Sequence, residues 1–147
     1  SEMCIRDRDI VNLNSNIISK NSDIGTLGNK ITKVDFIDKS IVKVITYNNI
    51  EKKKISRAKE FLRKCKHPKK NAYGHIGIYQ FRTSILKKFV NLRQSKNEIK
   101  HRLEQLRAIE NGINIDVVYS KNKSFGIDTV EDYVEIKKIM EYKIKKL

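Results

Sequence analysis

The sequence predicts an α/β fold, because segments with the alternating pattern of strands take turns with segments that have helical spacing. "IVKVITY" (41–47) and "YGHIGIYQF" (73–81) are rich in β-branched and aromatic residues, whereas residues 95–111 carry apolar side chains at helical intervals. Another β-branched segment, "INIDVVY" (113–119), follows that helix directly. Such alternation is typical of a largely parallel sheet.

The first half of the chain supplies one helix and three strands. Apolar residues recur at helical intervals over 10–18, and "DIGTLGNKI" (23–31) predicts the first strand. The strands at 41–47 and 73–81 follow. In the last of these, the period of two separates Ile76 and Ile78 from a set of residues on the other face: His75, Gly77, Tyr79 and Phe81.

The second half supplies the remaining elements, which are helices over 83–91 and 95–111, a strand over 113–119 and a helix from near Thr129. Ser95 followed by Glu98 is a capping-box pattern that marks the start of the second helix. Asn111 and Gly112 mark its end, because these residues readily adopt the left-handed conformation that terminates helices.

Length and composition limit which class of protein this can be. The 147-residue chain is long enough for one domain with a core, and 39% of its residues are hydrophobic. No apolar run approaches the ~20 residues of a membrane span, and the first residues lack the order of a secretory signal. We therefore expect a cytoplasmic protein with no membrane partner. Cys4, Cys65 and His67 do not supply the ligand pairs of a zinc site.

The net charge of +15 raises the alternative of a non-catalytic, basic RNA-binding domain. The densest basic segment is "KKKISRAKEFLRKCKHPKK" (52–70), which contains the single proline, Pro68. However, lysines occur throughout the chain, and aromatic residues do not interleave with this segment as a base-stacking surface requires. A solvated lysine-rich surface is therefore favoured over a nucleic-acid partner, and the RNA-binding alternative stays open.

Four runs in order carry a family resemblance: "SRA" (56–58), "HIGIYQFR" (75–82), "SKNEIKHRLEQLRAIENG" (95–112) and "GIDTVED" (126–132). They resemble the C-terminal half of the 3-deoxy-D-manno-octulosonate cytidylyltransferases, or CMP-Kdo synthetases. The resemblance covers roughly residues 23–142 and is weakest over 48–72. It implies the C-terminal part of a nucleotide-sugar-transferase-like, Rossmann-like three-layer sandwich with a mixed, mainly parallel sheet.

The sequence departs from the family pattern at several positions. Glu60-Phe61 replaces an Ile-Pro pair, and Lys96 and Val130 replace prolines. The P-A-R-x-x-S-x-R-x-P-G-K loop for CTP phosphates and the G-D-E-P motif do not occur in this chain. We expect residues 1–8, "SEMCIRDR", to be non-native, adapter-derived sequence and residues 9–147 to be the C-terminal part of a single, N-terminally truncated cytidylyltransferase domain. Such a fragment is expected to be inactive alone.

The resemblance implies a bacterial enzyme that transfers CMP from CTP to 3-deoxy-D-manno-octulosonate (Kdo) for lipopolysaccharide biosynthesis. The intact enzyme is expected to be a homodimer and to use Mg²⁺. Asp128 corresponds to the family aspartate that holds the metal, whereas Glu131 and Asp132 suit the start of a helix. A related sugar-acid cytidylyltransferase of the CMP-sialate synthetase type is the alternative within enzymes.

The resemblance also implies which residues bind the sugar acid: Arg57, His75, Tyr79, Glu104 and Gln105. The guanidinium of Arg57 would meet the Kdo carboxylate, and Glu104 and Gln105 would contact its hydroxyl groups. His75 and Tyr79 would direct polar groups toward the sugar. Without the resemblance, each residue has an ordinary structural explanation. Helical spacing alone favours a solvated Glu104, His75 suits a sheet core, and Arg57 is one of 32 lysines and arginines.

Overall fold

The computed structural model describes residues 7–65 and 67–121, together with 2–3, 126–127, 130–131, 133–134 and 137–138. The strands are Glu2–Met3 (β1), Ile24–Asn29 (β2), Lys43–Thr46 (β3), Ile55–Leu62 (β4), Ala72–Phe81 (β5), Ile115–Ser120 (β6) and Gly126–Ile127 (β7). The helices are Asp7–Lys20 (α1), Lys33–Ile37 (α2), Ile50–Lys53 (α3), Thr83–Val90 (α4), Lys96–His101 (α5) and Gln105–Glu110 (α6). The predicted helix over 10–18 and the predicted strands at 23–31, 41–47, 73–81 and 113–119 are confirmed.

The sheet is mixed, as predicted, but the expectation of mainly parallel strands is wrong for the described part of the chain. Five strands close into a small barrel in the order β2-β5-β3-β4-β6, in which β2 and β6 are parallel and the other pairs are antiparallel. For β3 and its neighbour β4, the connecting residues 47–54 are too few for the crossover that parallel neighbours need. A separate antiparallel pair joins β1 and β7.

Helix α1 packs on one face of this sheet through an apolar stripe. Leu13 and Ile17 of the helix are buried against Leu27, Ile76 and Val118, which come from three neighbouring strands. The helix approaches closely because the second residue of β2 is a glycine. A Cβ atom at Gly25 would overlap the Ile17 side chain, so this contact requires glycine.

The opposite face carries the larger core, which α3 and the α4–α6 region cover. Its fully or nearly fully buried members include Ile24, Val44, Ile50, Phe61, Tyr73, Leu103, Ala108, Ile113, Ile115 and Val117. Helix α4 contributes half-buried Phe89 to the edge of this core. The aromatic side chains of β5 lie on this face, so the α4–α6 region and β5 enclose the surface on which the predicted sugar-binding residues must be sought.

The predicted single helix over 95–111 is two helices. The capping box of Ser95 and Glu98 is present at the start of α5, but Arg102 adopts a left-handed conformation with φ of 54° and ends that helix. The break allows Leu103 to turn into the core, where it is 4% exposed. Glu104 consequently precedes the first turn of α6 instead of lying in the middle of a long helix.

Strand β4 and the short helices α2 and α3 are elements that the sequence analysis missed. Residues 52–70 were interpreted as a basic surface segment, yet β4 alternates inward residues such as Ser56 and Ala58 with exposed Arg57 and Lys59. The predicted last helix falls mostly outside the described residues, although the described residues from Val130 onward are helical. Among the helices of the described ranges, none is long and apolar enough to cross a membrane.

Candidate functional site

A ladder of aromatic rings runs along the α4–α6 side of β5. His75 and Tyr79 have ring centroids 5.4 Å apart, and Tyr79 lies 6.4 Å from Phe81. Phe61 of β4 contacts the His75 ring edge-on at 5.1 Å, and Phe89 of α4 lies 5.5 Å from Phe81. The predicted shared face of His75, Tyr79 and Phe81 is therefore confirmed, with Ile76 and Ile78 on the α1 side.

A β-bulge brings His75 and Tyr79 together. Four residues of regular strand span about 13 Å, which would separate the two rings. In the observed register, His75 pairs with Gly28 and Tyr79 pairs with Thr26, so four residues of β5 lie opposite only two of β2. Two positions of a strand span only about 7 Å. The two extra residues in β5 thus convert distant side chains of one face into direct neighbours.

The His75 ring is half-buried and neutral at physiological pH. Its Nε2 atom lies 2.9 Å from the Thr26 hydroxyl, and its backbone N–H donates to the Val42 carbonyl at 2.8 Å. Burial lowers the pKa of His75 from 6.5 to about 4. The neutral imidazole offers one donor nitrogen and one acceptor nitrogen.

Tyr79 and Glu104 form the second part of the same site. Burial raises the pKa of the Tyr79 hydroxyl, and the negative charge of nearby Glu104 raises that pKa further. The Tyr79 phenol therefore keeps its proton and can donate it in a hydrogen bond. Glu104 is exposed at the start of α6, and its carboxylate lies near enough to act electrostatically on the Tyr79 hydroxyl. The structure thus brings His75, Tyr79 and Glu104 to one place.

The turn that carries Glu104 is held from two sides. Arg63 at the end of β4 donates from its guanidinium to the carbonyls of His101 and Arg102, both at 3.3 Å. On the other side, Arg107 Nε donates to Glu98 Oε2 at 2.9 Å, and a second contact makes the ion pair bidentate.

The Glu98 side chain is only 3% exposed, and the hydrogen bonds from Arg107 hold its pKa below the ordinary value. The Arg107 guanidinium also stacks 4.9 Å from the centre of the Phe89 ring. Together these contacts fix the break between α5 and α6, and with it the position of Glu104.

Gln105 and Arg57 lie differently from the other predicted site residues. Gln105 is buried in the first turn of α6, with 8% of its surface exposed. Arg57 is exposed on β4 and pairs in register with Asp116, whose carboxylate binds Lys20 of α1 at 2.5 Å. This register places Arg57 on the α1 side of the sheet, the opposite face from His75. Within the described residues, the Arg57 guanidinium makes no ion pair.

The predicted metal ligand, Asp128, lies outside the described residues, as do Thr129 and Asp132. Glu131 is described and exposed. In the part of the chain that the structure describes, no cluster of three or more His, Cys, Asp or Glu side chains could hold a metal ion. The role of Asp128 as a magnesium ligand stays a prediction.

The sequence analysis missed Thr26, Arg63 and Arg107 as residues that support the site. The capping-box pattern identified Glu98, but its ion pair with Arg107 exists because the helix breaks between them. The sequence feature that could have identified Thr26 is a hydroxyl side chain inside a predicted strand, between Gly25 and Leu27. A buried hydroxyl there must find a partner across the strand.

Two comparisons with known sequences find the same family. The sequence profile of the family described as "Cytidylyltransferase" matches residues 1–121. The 3-deoxy-manno-octulosonate cytidylyltransferase of Thermodesulfovibrio yellowstonii is 43% identical over 120 residues, which cover 78% of this chain and 47% of the relative. The enzyme of the same name from Bartonella quintana is 38% identical over 82% of this chain and 51% of the relative. The chain spans about half the length of these curated relatives.

A solved structure agrees with the sequence relatives. The structure of CMP:2-keto-3-deoxy-manno-octonic acid synthetase complexed with CTP superposes with a TM-score of 0.82 at 27% sequence identity. The superposition covers 95% of this chain and 58% of that chain. The mixed α/β fold described above is therefore also found in a protein that binds CTP.

Proposed function

This chain belongs to the cytidylyltransferase family, and on that premise we propose that it forms part of an enzyme that transfers CMP from CTP to Kdo. The products are CMP-Kdo, for lipopolysaccharide biosynthesis, and pyrophosphate. The observation that carries the proposal is the 43% identity to a curated 3-deoxy-manno-octulosonate cytidylyltransferase over 78% of this chain. Because the chain spans about half of that relative, the activity is proposed for a protein of the relatives' length.

The chemistry of His75, Tyr79 and Glu104 suits a polyhydroxylated sugar acid. The Tyr79 phenol donates a hydrogen bond, the Glu104 carboxylate accepts hydrogen bonds, and neutral His75 provides one of each. Sugar hydroxyls both donate and accept, so such a mixed set orients them. The aromatic rings of Phe61 and Phe81, which contact His75 and Tyr79, supply the apolar part of the site. Gln105, at the start of α6, is proposed to complete the set.

Arg57 is proposed as the partner of the Kdo carboxylate on the strength of the SRA resemblance. A guanidinium fork matches a carboxylate in shape and charge. Its exposed position leaves the group available, but its face of the sheet differs from that of His75. Arg57 and the other four residues are therefore two separate parts of the proposal.

Mg²⁺ is proposed as the cofactor, with Asp128 as its ligand in this chain. When bound, the ion would neutralise phosphate charge during transfer to the sugar. We also propose that the protein of the relatives' length completes a three-layer sandwich around this unit and acts as a homodimer. The likeness to a CTP-bound synthetase at a TM-score of 0.82, over 58% of that chain, supports a larger protein of the same mixed α/β fold.

The sugar site is tested directly by isothermal titration of the chain with Kdo. Glu104→Gln removes one charged acceptor, so its affinity for Kdo should fall about tenfold or more, since a hydrogen bond to a charged group contributes about 1.5–3 kcal/mol. Glu110→Gln at the exposed far end of α6 is the matched control and should bind as the parent does. Equal affinities of both variants would contradict a sugar site at Glu104, and stronger binding of sialic acid than of Kdo would favour a CMP-sialate synthetase.

RNA binding is the second candidate function, and the observation behind it is the net charge of +15. An RNA-binding protein that neutralises several phosphates loses affinity steeply as salt rises. Filter binding with a short RNA, repeated between low and physiological salt, separates the two candidates. Tight, salt-dependent RNA binding that Glu104→Gln leaves unchanged, together with no Kdo binding, would replace the enzyme proposal.

A further inference from the structure

Thr26 sits opposite the β5 bulge with its side chain fully buried. Its hydroxyl oxygen lies 2.7 Å from the Ile78 carbonyl oxygen and 3.1 Å from the Ile76 carbonyl oxygen. The same oxygen lies 2.9 Å from Nε2 of His75. These three contacts gather the two ends of the bulge and the His75 ring around one hydroxyl group.

The number of protons on each of these groups identifies the donor in each contact. Both carbonyl oxygens accept only, and the hydroxyl has a single proton, which it donates to the carbonyls of the bulge. The Ile78 carbonyl, at 2.7 Å, is the nearer acceptor. The hydroxyl can then meet His75 only through its lone pairs, so Nε2 of His75 must carry the proton that it donates to Thr26.

We propose that Thr26 is a positioning residue whose hydroxyl closes the β5 bulge and fixes His75 as the Nε2–H tautomer, so that Nδ1 is the ring's hydrogen-bond acceptor. The bulge also brings Tyr79 beside His75. The Thr26 hydroxyl therefore sets both the distance between these two rings and which nitrogen of the His75 ring carries the proton. The same assignment does not depend on any ligand, since every group in it belongs to the chain.

The tautomer decides which part of a substrate the ring can bind. A bare Nδ1 accepts a hydrogen bond, so it pairs with a sugar hydroxyl and not with a carboxylate, which has no proton to give. This step rests on the proposed function. It assigns His75 to the hydroxyl end of the sugar acid and leaves the carboxylate to a cation elsewhere.

The assignment is tested by long-range ¹H–¹⁵N NMR of the ¹⁵N-labelled chain at pH 7, with the three histidines distinguished by means of His75→Gln. The expected spectrum shows a pyrrole-type nitrogen at Nε2 and a pyridine-type nitrogen at Nδ1 of His75. The opposite pattern in the parent chain would overturn the proposal without any variant.

Two substitutions at Thr26 test its part. Thr26→Val removes the hydroxyl with little change in volume and should move both His75 nitrogens toward averaged shifts, whereas Thr26→Ser keeps the hydroxyl and should retain the parent pattern. Unchanged His75 shifts in Thr26→Val would overturn the role of Thr26. Addition of Kdo then tests the proposed function separately: a bound hydroxyl shifts Nδ1, and no shift there would count against the sugar site while the tautomer in the free chain stands.

Discussion

Acid should destabilise this fold through His75 before any carboxylate with a lowered pKa contributes. The folded ring has a pKa of about 4, compared with 6.5 for an exposed histidine. Between these values the unfolded chain binds more protons than the folded chain, so the free energy of unfolding falls as the pH falls. The contribution is complete above pH 6.5 and is lost as the pH approaches 4.

The size of the effect follows from the two pKa values. Their difference corresponds to about 3 kcal/mol in total, since each unit of pKa difference is worth about 1.4 kcal/mol. At pH 5, well above the folded pKa, about 2 kcal/mol of this is already lost. Carboxylates with lowered pKa, such as Asp38 and Glu98, respond only at lower pH. The interval from pH 7 to pH 5 therefore isolates the histidine.

Urea unfolding at pH 7, 6 and 5 measures this contribution. The parent chain should lose about 2 kcal/mol over the interval, whereas His75→Gln, which keeps a donor group near Thr26 but does not titrate, should lose much less. His101→Gln is the matched control, because His101 is exposed, and should follow the parent. If His75→Gln and the parent lost stability in parallel between pH 7 and pH 5, the assignment of a buried neutral ring would be refuted.

Three further predictions concern the ion pair and the proposed catalytic residues. Arg107→Met leaves the Glu98 carboxylate buried and unpaired, so urea unfolding at pH 7 should show that the free energy of unfolding falls by about 3–5 kcal/mol. Adding Glu98→Gln to the same chain should recover part of this stability. A fall of less than about 1 kcal/mol, which is the range of exposed ion pairs, would contradict the burial of this pair. In an enzyme extended to the relatives' length, Asp128→Asn should reduce pyrophosphate release by orders of magnitude while Glu131→Gln hardly matters, and equal effects would argue against Asp128 as the metal ligand. In the same enzyme, Arg57→Ala should raise the KM for Kdo about tenfold or more, because a charge-assisted hydrogen bond is lost, and should leave the KM for CTP unchanged. An unchanged KM for Kdo would mean that Arg57 is an ordinary solvated side chain.

The period of two in the sequence identified the strands whose exposed residues are apolar or uncharged. It failed for the strand whose exposed residues are cationic. Strand β5 was identified because its residues on both faces favour strands. Strand β4 has the same alternation, but its exposed Arg57 and Lys59 made the segment read as basic surface. The pairing partners of each strand could not be read either, since the order of elements along the chain does not state which edges meet.

Buried charges were beyond the reach of composition. Lys43 is fully buried, and its ammonium group donates to three carbonyls, that of Ile41 at 2.7 Å, that of Arg63 at 2.9 Å and that of Asp38. Burial lowers its pKa, while these carbonyls satisfy its protons. Nothing in the sequence distinguishes Lys43 from the solvated lysines. The carbonyls that accept its hydrogen bonds lie in loops, and the positions of these loops depend on how the strands pair in the barrel.

Glu104 shows how two opposed interpretations of one residue can both be compatible with one structure. Helical spacing favoured a solvated side chain, and Glu104 is exposed; the resemblance implied a site residue, and Glu104 lies close enough to raise the pKa of Tyr79. The break at Arg102 reconciles them, because it places an exposed carboxylate at the start of α6 beside the aromatic ladder. No such local feature moves Arg57 from the α1 face to that ladder. The kinetic effect of Arg57→Ala is consequently the more demanding test of whether family motifs transfer to this chain residue by residue.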